Sequence, residues 1–247
     1  MPSVSSIAVG ALVAGSAASK ARHGMNESIA RLSTGMRSMY GGDAAGQSVA
    51  NTLQARSMSW AVAARNAEDG ISAAQTAESA LLEIAALAQR LREVGIQADN
   101  EGLLVAASDL AALNAEATAL GTAIDQIVST TTFNGVSLLG TSAVSTNIGV
   151  TDAGGTVALK TSDAIAAAAR TEATAADGSA DETLTDVAIS LGNIAAGIAA
   201  LKGRQAVAYS ASANLAAAAA RIEDTDFASE TANLTKNSVL NQSAMAM

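Results

Sequence analysis

The chain has 247 residues; 49% are hydrophobic but only 2% aromatic, and the formal net charge is −9. Cysteine is absent, which excludes disulfide staples, thiolate catalysis and cysteine metal sites. The acidic balance excludes nucleic acid as the main partner, because phosphates reward basic patches.

An apolar content drawn from Ala, Leu, Ile and Val suits long helices that touch along narrow seams. The single proline, Pro2, leaves the helix interiors unbroken. Residues 3–36 carry a weak repeat of Val4, Ile7, Ala11, Ala14, Ala18, Ala21, Met25, Ile29 and Leu32. This predicts an amphipathic helix too small-sided to fold alone. Its stretch Ile7 to Ala18 mimics the apolar core of a signal peptide, but Lys20 and Arg22 follow it and no basic residue precedes it. A helix that becomes buried is therefore expected, not a cleaved signal. No run of 18 apolar residues occurs anywhere, so membrane insertion is not expected. Tyr40-Gly41-Gly42-Asp43 predicts a loop.

The dominant signal follows. From Gly70, the series Ala73, Ala77, Ala80, Ile84, Leu87, Leu91, Val94 and Ala98 advances by alternating steps of four and three. After a polar break at Asp99-Asn100-Glu101-Gly102, Leu110, Leu113, Ala117, Leu120, Ile124 and Ile127 repeat the pattern. Residues 130–182 lose it: Phe133-Asn134-Gly135 signals a tight turn. Val136–Leu139 and Thr156–Leu159 read as short strands of one or two hairpins, and Ala164 to Ala169 as a helical turn. The third series is the longest: Leu184, Val187, Leu191, Ile194, Ile198, Leu201, Gln205, Ala208, Ser212, Leu215, Ala219 and Ile222. A 3.5-residue spacing keeps one stripe facing a partner in a left-handed supercoil. Three such segments predict an intramolecular bundle, the last helix on the order of 60 Å long at 1.5 Å per residue. Seams built on Ala bury little area, so lateral neighbours should add stability.

Residues 225–247 set Phe227, Leu234, Val239, Leu240 and Met245 among Asn, Ser and Thr, giving a second weak helix. Charge divides the same way: residues 1–65 carry +4, the remainder −13, and residues 222–247 alone −3. Opposed charge at the two ends is what pairing of the termini would produce, and ordinary scatter of charge along the chain would give it equally well.

Nothing converges on chemistry. His23 is the lone histidine, which excludes a two-histidine zinc motif. Glu223, Asp224 and Asp226 lack the ligand spacing of a calcium loop and read better as charge favouring a helix N-terminus. Gly149–Gly155 is no phosphate loop, since no lysine follows at the required spacing. Asn26-Glu27-Ser28, Asn233-Leu234-Thr235 and Asn241-Gln242-Ser243 match the sugar-acceptor pattern on predicted helices and read as chance matches. Trp60 reads as a bundle contact. Neither a catalytic set, a metal site nor a cofactor site is expected.

A family resemblance adds to this reading. Arg31-Leu32-Ser33-Thr34-Gly35, Gly42-Asp43-Ala44-Ala45-Gly46, Ala64-Arg65-Asn66-Ala67-Glu68-Asp69-Gly70-Ile71-Ser72, Gln89-Arg90-Leu91-Arg92-Glu93 and Phe133-Asn134-Gly135 resemble the amino-terminal region of bacterial flagellins. Ala220-Arg221-Ile222-Glu223-Asp224-Thr225-Asp226-Phe227-Ala228 and Thr235-Lys236 resemble the carboxy-terminal signature. The resemblance covers about three quarters of the chain, in order at both ends. It implies a mainly α fold: a long coiled-coil bundle with paired terminal helices and a small β-hairpin region. It also implies a homopolymer, the extracellular flagellar filament used for swimming. Export would be by the flagellar type III apparatus without a cleaved signal, with a carboxy-terminal export chaperone, a filament cap and hook junction proteins as further partners. Flagellins often insert outer domains where residues 140–182 stand, so a short form with a minimal outer domain is expected. The chain ends at Ala244-Met245-Ala246-Met247, earlier than the family's usual ending, which would shorten the inner carboxy-terminal helix.

The layout expected is an inner-layer helix over residues 1–40, a bundle over 41–222 and a second inner-layer helix over 223–247. Bundle helices are expected near 57–98, 104–129 and 182–221, with hairpins in 130–170. Assembly contacts are assigned to Ile7, Leu12, Ile29, Leu32, Phe227, Leu234 and Leu240. The bundle seam is assigned to Ile84, Leu87, Leu91, Leu113, Leu120, Ile124, Leu191, Ile194, Ile198 and Leu201. Gln89, Arg90 and Glu93 lie on the segment that some flagellins present to a Toll-like innate receptor, and with Glu116 on the next helix they are assigned to that face or to contacts between subunits. The alternatives are a hook–filament junction protein and a secreted helical binding protein that never polymerises.

Overall fold

The structure, a computed structural model, describes residues 3–37, 43–100, 107–165 and 172–246, with residues 3–7 and 107 by backbone alone. The expected loop at 40–42, most of the expected helical turn at 164–169, and the break at 101–102 lie outside the described residues.

Among the described residues, five helices and two small hairpins follow in chain order: α1 (Ser3–Thr34), α2 (Ala44–Ala98), α3 (Ala107–Thr130), β1 (Thr132–Phe133), β2 (Val136–Ser137), β3 (Val144–Gly149), β4 (Thr156–Ser162), α4 (Ala176–Glu223) and α5 (Phe227–Ala246). A short 3-10 turn, Ala173–Ala175, leads into α4. Local chemistry sets the ends. Gly35, at φ 73, takes the left-handed position that stops α1, and its N–H donates to Arg31 O at 2.8 Å. Asp43 caps α2 by accepting from the Gly46 N–H at 2.8 Å. Asp226 caps α5 by accepting from the N–H groups of Ala228 and Ser229.

Two helices outrun their expected spans. α2 begins at Ala44 rather than near 57, and α4 at Ala176 rather than 182. The added turns, Ala44–Arg56 and Ala176–Asp181, mix Ala with polar residues, so they show little apolar period.

The chain divides into two compact units. One holds Met1–Ser57 with Ala213–Met247, the other Met58–Ser212. In the second unit one hydrophobic cluster joins Leu81 and Ile84 of α2, Ile124 and Val128 of α3, Leu138, Leu139, Val150 and Leu159 of the hairpin region, and Val187, Ile194 and Leu201 of α4. A second cluster gathers Leu91, Val94, Ala98, Ala117, Ala173, Ala176 and Ala180. The two hairpins are separate antiparallel pairs: Thr132 with Ser137 and Phe133 with Val136, then Val144–Gly149 along Thr156–Ser162. Asn134 and Gly135 form a two-residue loop with φ of 49 and 80, the left-handed pair that type I′ requires. The expected strand at 156–159 therefore pairs with 144–149 and not with 136–139. Polar latches hold this region to the helices. Thr161 Oγ1 donates to Leu138 O at 2.6 Å, Asn66 Nδ2 to Gly149 O at 3.1 Å, and the Asp163 N–H to Ser190 Oγ at 2.8 Å.

In the first unit α1 and α5 pack together. They run antiparallel: Arg31 meets Glu230, and Gly24 meets Asn237.

Candidate assembly surface

The α1–α5 seam repeats every three and four residues on both helices. On α1 it passes through Ala14, Ala18, Ala21, Met25, Ser28 and Leu32, all buried or half-buried. On α5 it passes through Glu230, Leu234, Asn237, Asn241 and Ala244. The sequence reading placed Ile29 on this stripe; the heptad step falls on Ser28, which is 2% exposed, and Ile29 faces outward. The α5 side of the seam is largely polar. Glu230 is 8% exposed and lies 3.8 Å from Arg31, in the first turn of α5, where negative charge is favoured by the helix dipole. A β-carbon at Gly24 would stand 2.6 Å from Asn237 Nδ2, so only glycine admits this approach unless the amide moves. Asn241 Oδ1 is buried without a hydrogen-bond partner.

A small seam leaves the large apolar groups outside it. Leu12 (77% exposed), Ile29, Phe227 and Leu240 of the expected assembly set are exposed, and Leu32 and Leu234 are half-buried. The side chain of Ile7 lies outside the described residues. Val9, Val13, Val239 and Met245 are exposed as well. Isolated exposed apolar residues are ordinary, but among the described residues eight large ones stand exposed on two paired helices (Val9, Leu12, Val13, Ile29, Phe227, Val239, Leu240 and Met245).

A clasp closes the joint at the other end of the pair. Arg37 donates through Nε and Nη2 to Ile222 O at 3.2 and 3.1 Å, and through Nη2 to Asp43 Oδ2 at 3.0 Å. The Arg37 N–H donates to Glu223 O, and the Thr225 N–H to Gly35 O. One guanidinium thus satisfies a terminal carbonyl of α4 and holds the cap residue of α2. The sequence carried no sign of this, because the main acceptor is a backbone carbonyl 185 positions away.

In the second unit Ile84, Leu91, Ile124, Ile194 and Leu201 of the expected seam are buried, and Leu87, Leu113, Leu120, Leu191 and Ile198 half-buried. On the outer face Arg90 donates to Glu93 at 2.8 Å and to Glu116 at 2.8 and 3.1 Å, joining α2 to α3. These bonds, first that to Glu93, push the Arg90 guanidinium further up. Gln89 and Glu93 are exposed, Glu116 half-buried. Glu68 accepts from Tyr209 Oη at 2.6 Å and from Gln205 Nε2 at 2.8 Å, and the bond to Glu68 raises the phenol above its ordinary value.

The helical stretch Ala173–Glu223 is long and apolar enough, by length and composition, to cross a membrane, yet only 22% of its most apolar window is buried in the chain. Polar residues such as Asp186 and Asn193 break the apolar run, so counting uninterrupted apolar residues missed this stretch. Among the described residues no group of three or more His, Asp or Glu could hold a metal ion.

Two family models match the two ends of this chain. Residues 6–144 match the bacterial flagellin N-terminal helical region, and residues 178–247 the bacterial flagellin C-terminal helical region. A flagellin of Bacillus subtilis is 31% identical, over 90% of this chain and 87% of that protein. One of Halalkalibacterium halodurans is 34% identical, over 90% and 85%. Flagellin A of Vibrio cholerae is 42% identical over 53% of this chain but 34% of its own length. With both terminal regions matched and nearly the full length of two relatives covered, the chain belongs to the bacterial flagellin family.

Proposed function

We propose that the outward faces of the paired terminal helices are the surfaces through which this flagellin polymerises. As a flagellin the chain is a structural subunit of the extracellular flagellar filament, self-assembling and not an enzyme. The observation that carries the proposal is the set of large apolar side chains, from Leu12 to Leu240, that the α1–α5 seam leaves exposed. Burying each against a neighbour stabilises by about 1.5–3 kcal/mol, against the ordering of groups already held in helices.

On this reading residues 1–40 and 223–247 make the inner layer and residues 41–222 the bundle outside it. The exposed Ala-rich face of α4, with Ile189 and Val207, packs on other subunits rather than lipid. The charged face at Gln89, Arg90, Glu93 and Glu116 also belongs to contacts between subunits, since exposed ion pairs are worth only ~0–1 kcal/mol and exchange partners readily. Export is by the type III apparatus without a cleaved signal, helped by a carboxy-terminal chaperone and completed at a cap and hook junction.

Concentrated full-length chain mixed with sheared filament fragments tests the proposal by electron microscopy. Elongation of the fragments is expected, and replacing Leu12 and Leu240 together by Ser should stop it without loss of helix. A chain that stays monomeric with fragments present, or a double variant that elongates normally, would remove these faces from assembly.

A further inference from the structure

We propose that Asn134–Gly135 is the site of spontaneous deamidation in this chain, a modification that adds charge to the groove beside the first hairpin as the subunit ages. Asn134 is the only asparagine followed directly by glycine. Glycine presents its amide nitrogen without a β-carbon in the way, so attack on the side chain of the preceding residue is least hindered there.

The structure separates Asn134 from the asparagines of α2, α3, α4 and β3. Asn51, Asn66, Asn114 and Asn193 sit inside α2, α3 and α4, where the next backbone nitrogen is committed to the helical ladder. Asn147 lies in β3 ahead of β-branched Ile148. Asn66 and Asn114 are also held by hydrogen bonds to Gly149 O and from the Ala173 N–H. Asn134 is exposed, sits at φ 49, and among the described residues its carboxamide has no hydrogen-bond partner. The hairpin around it holds only two residue pairs, so the rotation that brings its Cγ over the Gly135 nitrogen disturbs little structure.

The chemistry balances without an oxidant or reductant. The deprotonated Gly135 nitrogen attacks Asn134 Cγ, a C–N bond forms, and the side-chain nitrogen leaves as ammonia. Water then opens the cyclic imide at either carbonyl, giving aspartate or isoaspartate. Both products place a carboxylate on a groove lined also by Asp69, Gly70 and Phe133, and like charges there repel. Isoaspartate further inserts a methylene into the backbone of a two-residue loop whose φ values fix the pairing of Phe133 with Val136.

The native full-length chain, held at mildly alkaline pH and mapped by peptide mass with enzymatic labelling of isoaspartate, tests this. Asn134 should convert about tenfold faster than any other asparagine, a barrier difference of ~1.4 kcal/mol, and faster as pH rises because the attacking nitrogen must lose its proton. Asn134→Gly, which also adopts positive φ, should keep the helical signal and yield no isoaspartate from this loop. Conversion of another asparagine first, or conversion of Asn134 only in the urea-unfolded chain, overturns the proposal, the second because the turn would then be protecting it.

Discussion

Two glycines in this chain look alike in sequence and should respond oppositely to the same substitution. Gly95 and Gly192 both stand inside long Ala-rich helices, where replacing glycine by alanine gains up to ~1 kcal/mol of helix propensity. A β-carbon at Gly192 would meet nothing within 4 Å. At Gly95 it would lie 2.4 Å from the backbone nitrogen of Asp177 and 2.9 Å from its Cα, and backbone cannot swing aside as a side-chain tip can. Overpacking of that kind costs about 1–3 kcal/mol, which exceeds the propensity gain. Gly192→Ala should therefore raise the urea midpoint and Gly95→Ala lower it, both with unchanged m. Equal shifts would mean that α2 and the start of α4 do not approach as described. Neither fate is legible in the sequence, because it depends on which backbone lies opposite. Residues whose role is local were legible: Asp226 as a cap and Asn134-Gly135 as a turn act on neighbours within three positions. Arg37, acting on Ile222 O across 185 positions, was not.

Element by element, periodicity carried most of the fold. The three heptad series of α2, α3 and α4 fall on buried or half-buried positions throughout, since a 3.5-residue spacing admits only one buried stripe. It erred where the stripe is polar. Ser28 occupies the step that Ile29 was expected to take, and Glu230, Asn237 and Asn241 line α5 where hydrophobicity would point to Val239 and Leu240. Strand β3 went unread for a related reason, as Ser145, Thr146 and Asn147 give it no apolar alternation. A pair of truncations separates seam from surface. Leu201 is fully buried in α4, so Leu201→Ala should cost about 2–5 kcal/mol in urea unfolding. Leu240 is 49% exposed, so Leu240→Ala should change that stability by no more than ~0.5 kcal/mol. The same change should raise the monomer concentration needed for filament growth about tenfold or more, as expected when ~1.4 kcal/mol or more of interface burial is lost. If Leu240→Ala unfolds the monomer but leaves growth untouched, the outward face has been misassigned.

Across the whole molecule, large buried side chains are concentrated in one unit, while the other buries small and polar ones. Among the described residues, the largest fully buried side chains, including Leu81, Ile84, Leu91, Ile124, Leu159, Ile194 and Leu201, all belong to Met58–Ser212. The unit formed by the termini buries Ala18, Ala21, Ala50 and Ala219 with Ser28, Ser57, Thr225 and Glu230, which are small or polar. Burial of a methyl is worth only ~0.8 kcal/mol, and burial of polar groups gains little even when they are paired. Ordering each residue costs about 1–2 kcal/mol of backbone entropy, so the terminal pair has little surplus of its own. The opposed charges that the composition revealed meet where Arg31 stands 3.8 Å from Glu230, a long ion pair that cannot make up that difference. Folding of the ends must therefore draw on burial of the exposed apolar set by other subunits. Deleting residues 1–30 or 226–247 should then leave a cooperative helical melt for the Met58–Ser212 unit by circular dichroism, while elongation of filament fragments is lost. Truncated chain that still grew normal filaments would place the assembly energy in the bundle, where the buried leucines already are, and not in the paired ends.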